Sequence, residues 1–122
     1  MTHTTHTQQN KKLEDLKKLI LKEGGATLTS NLQKTLLNKG FMVSLAGSES
    51  KIKVDDLSIE LFNYYKKIAK ENGAFIGFWM DCGILYVDCS INILSLEEAQ
   101  KIGRSNDQLA IYDLQNQTTI YL

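Results

Sequence analysis

The sequence predicts an α+β fold, an antiparallel sheet of hairpins with an N-terminal helix, one longer central helix and a short third helix. Three observations carry this. Apolar residues recur at helical spacing over Leu13, Leu16 and Ile20, and again over Leu57, Leu61, Tyr65 and Ile68. Alternation over Phe75–Ser90 marks two paired strands around a two-residue turn. The remaining strand signals fall in local antiparallel pairs with helices between them, which argues against a parallel doubly wound sheet.

Residues 1–9 are rich in Thr and His and lack apolar periodicity, so a disordered tail is expected there and a single α+β domain over residues 10–122. His3 and His6 fall in that tail and read as part of a floppy end rather than as a metal site. Asn10 is the expected cap of the first helix, which runs to about Glu23 with Glu14 and Lys18 paired on its polar face. Gly24 and Gly25 stop it, and a short strand follows over Ala26–Thr29. Ser30–Gly40 reads either as a loop or as a helix capped by Ser30 and Gln33, with Leu32, Leu36 and Leu37 toward the core.

Phe41–Ala46 reads as a strand, with Lys51–Val54 as its hairpin partner across Gly47–Ser50. Asp55 or Asp56 is the expected cap of the central helix, which ends near Gly73 and carries Phe62 and Ala69 beside its apolar stripe. Ser95 and Glu98 have capping-box spacing for a short helix ending at Gly103. Gln108–Leu114 and Thr118–Leu122 close the chain as two more strands.

The hairpin within residues 74–92 is the most informative segment. With Cys82 and Gly83 in the turn, Asp81 pairs with Ile84, Met80 with Leu85, Trp79 with Tyr86 and Phe78 with Val87. Side chains alternate across a strand, so Ile76, Phe78, Met80, Leu85, Val87 and Cys89 share one face, which must be the core. The other face carries Phe75, Gly77, Trp79, Asp81, Tyr86, Asp88 and Ser90. A solvated sheet face is normally polar throughout, and this one mixes large aromatics with carboxylates and a glycine. Two readings stand: a helix or partner subunit covers it, or a ligand stacks on Trp79. Both hold together where a pocket lies at a subunit boundary.

Composition excludes several function classes. Lys plus Arg and Asp plus Glu number 14 each, so no overall positive field favours DNA, RNA or an anionic membrane. No apolar run approaches the ~20 residues of a membrane span, and the N-terminus has no signal-peptide core, so a cytoplasmic protein is expected. Cys82 and Cys89 are expected as free thiols, too few and wrongly spaced for zinc. The expected domain contains no histidine and no glycine-rich phosphate loop. Asp81 and Asp88 lie far apart along their face for two-carboxylate chemistry. A binding protein without cofactor, rather than an enzyme, is the expectation.

Arg104 is the only arginine among the 14 Lys and Arg residues. Its planar fork suits phosphate or carboxylate in a way that lysine cannot copy. It follows Gly103 and opens the polar run Ser105, Asn106, Asp107 and Gln108. It serves either an anionic ligand or a structural ion pair with Asp107, Asp113 or Asp88.

The runs GGATL (Gly24–Leu28), GFMVSL (Gly40–Leu45), GFWMDCGILYVDCS (Gly77–Ser90) and EEAQKIGRSNDQLAIYDL (Glu97–Leu114) resemble small phage-encoded proteins. The chain is similar over roughly residues 24–122 to the phage anti-Thoeris proteins, sponges for a cyclic ADP-ribose signal. The resemblance implies that a homo-oligomer, dimer or larger, sequesters the messenger of bacterial TIR enzymes without degrading it, in the host cytoplasm. It also implies an aromatic for the base, with basic and amide groups for pyrophosphate and sugars. The candidates are Phe78 or Trp79, Asp88 or Asn92, and Arg104 with Asn106, and Lys53 is the second cation from the first hairpin. The strand register makes Phe78 a core residue and so favours Trp79. A competing reading is a small phage protein that inhibits a host protein through its aromatic face.

Overall fold

The computed structural model describes residues 2–31, 33, 35 and 37–122. The elements run α1 (Thr2–Glu23), β1 (Gly25–Leu28), β2 (Phe41–Ser44), β3 (Ser50–Ile52), a 3-10 turn (Val54–Asp56), α2 (Ile59–Asn72), β4 (Phe75–Asp81), β5 (Ile84–Ile93), α3 (Leu96–Ser105), β6 (Ala110–Asp113) and β7 (Thr118–Tyr121). The strands form one antiparallel sheet in the order β1-β4-β5-β2-β6-β7, with β3 also on β5. This is the expected α+β fold, with a central helix longer than the third.

Alternation builds the core. Leu28, Ile76, Phe78, Leu85, Val87 and Cys89 point to one face of the sheet and meet Leu13, Leu16 and Ile20 of α1 and Phe62, Tyr65 and Ala69 of α2. Each fully buried Val, Leu, Ile or Phe among them stabilises the fold by about 1.5–3 kcal/mol. A smaller cluster on the same face sets Val43 and Ile111 against Ala99 of α3. All three helices thus cover one face of the sheet, and none covers the other.

The β4–β5 hairpin has the expected register throughout, from Asp81 against Ile84 to Phe75 against Ser90. Cys82 and Gly83 both have positive φ, as a type I′ turn demands. Gly24 ends α1 and Gly73 caps α2, as expected. Ser95 accepts a hydrogen bond from the Glu98 amide at the start of α3.

Several elements differ from expectation. The first helix does not begin at Asn10 but extends back to Thr2, so residues 2–9 are helical rather than a disordered tail. Once a helix is nucleated, each added residue gains a backbone bond, and Thr, His and Gln each cost at most about 0.7 kcal/mol relative to Ala. Glu14 pairs with Lys17 rather than Lys18. The cap of α2 is Ser58, which accepts from the Leu61 amide, while Asp55 and Asp56 belong to the 3-10 turn before it. No helix or strand is assigned among the described residues of 30–40, and Leu32 and Leu36 lie outside them. Helix α3 passes through Gly103 to Ser105. Gly103 is not a stop but a contact: a Cβ there would sit 2.7 Å from Leu122 Cδ1 and 3.0 Å from Ile111 Cγ2.

The largest difference is the partner of β3. Phe41–Ser44 and Ser50–Ile52 are not a hairpin; both pair with β5, end to end along one of its edges. The five residues between them loop out opposite Cys89. Ser48 fills the gap, its hydroxyl accepting from the Cys89 amide at 3.1 Å and donating to the Cys89 carbonyl at 3.3 Å. Tyr65 of α2 locks the loop from the core. Its hydroxyl donates to the Ser48 carbonyl at 2.6 Å and shares a hydrogen bond with Ser50 Oγ. Burial pushes the Tyr65 phenol above its ordinary value against the opposing effect of the Ser50 bond, so it stays protonated as a donor at neutral pH.

Tyr65→Phe is therefore expected to lower stability by about 1–3 kcal/mol through the orphaned Ser48 carbonyl. Denaturant unfolding with an unchanged slope is the measurement; an unaltered midpoint would remove the lock. The two thiols should also separate. Cys89 is buried and its thiol is pushed up to about 11 by burial and by the Asp88 charge, whereas Cys82 is exposed at the turn. A thiol reagent at pH 8 should label one cysteine per native chain and two after denaturation.

Candidate functional site

The uncovered face of the sheet collects Trp79, Gly77 and Phe75 from β4, Tyr86, Asp88, Ser90 and Asn92 from β5, Met42 and Ser44 from β2, and Lys51 from β3. Trp79 and Tyr86 sit opposite each other, ring centroids 5.9 Å apart and tilted by 39°. Trp79 remains 62% exposed, so the platform is open to solvent. Lys51 Nζ lies 5.6 Å over the Tyr86 ring and 4.0 Å from Glu49. A depression of about 470 Å³ is lined by Glu49, Lys51, Gly77, Trp79, Tyr86 and Asp88.

Asp88 is held rather than free to swing. Its Oδ2 accepts from Ser44 Oγ at 2.6 Å and from Ser90 Oγ at 3.3 Å. Its Oδ1 leans across Gly77, where a Cβ would come within 2.7 Å of it. The glycine thus makes room for the carboxylate and leaves Oδ1 facing the depression. Two smaller grooves of about 230 Å³ each continue from Asp88 and Ser90 past Met42 toward Tyr112.

A cavity of comparable size, about 430 Å³, lies between α1 and α2 over Leu16, Leu28 and Phe62. Its wall passes through Asn31 and Gln33, on either side of Leu32 outside the described residues. It presents no exposed aromatic ring. The open sheet face is therefore the better candidate for a ligand with a planar ring.

The sequence candidates divide between locations. Trp79 and Asp88 line the depression together. Asn92 shares their face, but its Nδ2 donates to the Lys39 carbonyl at 3.0 Å and to Met42 Sδ, holding the chain ahead of β2. Phe78 is 3% exposed, pointing into the core as its register required. Arg104 lies in the last turn of α3, exposed and on the helical side, so the sheet separates it from Trp79 within the chain. Among the described residues it makes no ion pair with Asp107, Asp113 or Asp88. Its positive charge does favour the helix C-terminus.

Asn106 caps α3 and donates to the Ser44 carbonyl at 3.1 Å, a tether between helix and sheet. Lys53 lies beyond the end of β3, before the 3-10 turn, and outside the depression. The cation on the face is Lys51. Sequence reasoning missed Lys51, Glu49 and the Ser44–Asp88 bond because each depends on β3 and β2 both pairing with β5. Among the described residues, no group of three or more His, Cys, Asp or Glu side chains is placed to hold a metal ion, and no helix is long and apolar enough to cross a membrane.

No family model, curated protein or solved structure matches the chain. The candidate site rests on its geometry alone.

The two neighbouring aromatics give opposite expectations. Trp79→Ala removes an exposed ring and should change stability by no more than about 0.5 kcal/mol. Phe78→Ala should cost about 3–5 kcal/mol by leaving a core cavity. Thermal melting of the two variants checks the assignment of faces, and a reversed order would overturn it.

Proposed function

We propose that this chain is a binding protein that captures a nucleotide-derived signal on its open sheet face and holds it without reacting it. Within that class, the cyclic ADP-ribose type is the ligand suggested by the resemblance to phage anti-Thoeris sponges. The observation that carries the reading is the exposed Trp79–Tyr86 platform, flanked by Lys51 and Asp88 around one depression. A base stacked on such an aromatic gains about 1–3 kcal/mol whatever its identity. Blocking a TIR-based antiphage defence would need no further chemistry, because sequestration lowers the free signal by mass action.

A pyrophosphate places a further demand on the site. The depression carries one cation, Lys51, against Glu49 and Asp88. A dianion beside two carboxylates needs more positive charge, which a second copy of the chain would supply. Arg104 is exposed and its planar fork suits phosphate. The proposal therefore includes a homo-oligomer, with a platform from one protomer and Arg104 from another. Light scattering should return at least twice the 13.8 kDa chain mass; a monomer at micromolar concentration removes this part of the proposal.

Titration with cyclic ADP-ribose is the direct test. Quenching of the single tryptophan, Trp79, should follow binding, and Trp79→Ala should abolish the affinity while leaving the fold intact. The ligand should be recovered unchanged by chromatography after denaturation; a cleaved product would make the protein an enzyme. Arg104→Lys keeps the charge and loses the fork, and should weaken binding about tenfold or more, as expected for a charged hydrogen bond of ~1.5–3 kcal/mol.

A second reading, inhibition of a host protein by direct contact, is favoured by one further observation. Tyr112 and Tyr121 are also exposed on the Trp79 face, so its aromatic character extends beyond the depression. A melting temperature unmoved by cyclic ADP-ribose would favour that alternative.

A further inference from the structure

We infer that Asp88 is a specificity-determining residue that reads the hydroxyls of a sugar next to the stacked base, so that the site prefers ribose to deoxyribose. The inference rests on the proposed nucleotide binding and deepens it. Asp88 stands two residues beyond Tyr86 on the same face of β5, about 6.6 Å along the strand. That offset is of the size by which the sugar hydroxyls of a nucleoside lie away from its base.

The carboxylate is prepared for this task. Oδ2 is occupied by the Ser44 and Ser90 hydroxyls, which fix the side chain's orientation. Oδ1 has no hydrogen-bond partner among the described residues and faces the space over Gly77. An ionised carboxylate accepts only. It therefore selects donors and repels phosphate. Two adjacent hydroxyls supply the donors without charge, and the phosphates are directed to the Lys51 side of the depression. Because the acceptor is held in place beforehand, little ordering remains to be done on binding.

The test compares cyclic ADP-ribose with its analogue lacking the 2′-hydroxyl on the adenosine ribose, using Trp79 quenching. The wild-type protein should bind the deoxy analogue about tenfold or more weakly, since a site built to bond a hydroxyl discriminates against ligands that lack it. In Asp88→Asn the difference should shrink to about twofold or less. Gly77→Ala, which pushes a methyl group against Oδ1, should do the same with Asp88 intact. Equal affinity of the wild-type protein for the two probes, with quenching by both, overturns the inference and leaves nucleotide binding standing. No quenching by either probe overturns both. Where a variant fails to fold, the wild-type comparison alone decides.

Discussion

The fold depends on keeping both edges of β5 paired. This ten-residue strand holds β4 along one edge and divides its other edge between β3 and β2. At the split the Cys89 carbonyl keeps a backbone partner, the Leu45 amide at 2.9 Å, but the Cys89 amide has none, and an unpaired buried group costs about 1–3 kcal/mol. The Ser48 hydroxyl accepts from that amide, standing in for the missing backbone carbonyl, and adds a second, longer bond to the Cys89 carbonyl. Tyr65 fastens the loop carrying Ser48 to the helical layer. No buried side-chain nitrogen or oxygen among the described residues is left without a partner.

The same interruption builds the candidate site. Ser44 and Lys51 are seven residues apart, whereas their partners Ser90 and Tyr86 are four apart. The β2–β3 side thus carries three residues more than the matching span of β5, an odd excess, and the alternation of faces changes phase across the loop. Lys51 consequently joins Ser44 on the open face, although the two have opposite parity in the chain. A continuous strand would have put Ser48 opposite Tyr86 and left the platform without its cation.

This phase change also explains what could be read beforehand. The β4–β5 hairpin was legible because fourteen paired positions alternate without a break and the Cys82–Gly83 turn sets their register. Trp79 and Asp88 were found on one face for that reason. Strands of three or four residues carry too little pattern to name their partner, so the sequence pairs β3 with β2 and offers Lys53 as the cation of that hairpin, whereas Lys51 lines the depression. Gly103 looks like a stop in sequence because close packing against Leu122 and Ile111 leaves no local signature. Arg104 stands out by composition, but composition is blind to which side of a sheet a helix covers.

Helices on only one side give the chain two separately constrained sets of positions. Inner-face residues such as Ile76, Val87 and Cys89 are bound to each other's volumes, and a change in one is felt by its neighbours. Their immediate chain neighbours on the outer face, Gly77 and Asp88, border the open depression rather than the core. Under the proposed function, ligand preference would therefore drift along the same strands that hold the core together, with little loss of folding free energy. If the face binds a signal as proposed, a lineage facing a changed signal would alter exposed outer positions such as Trp79 and inherit the scaffold unaltered.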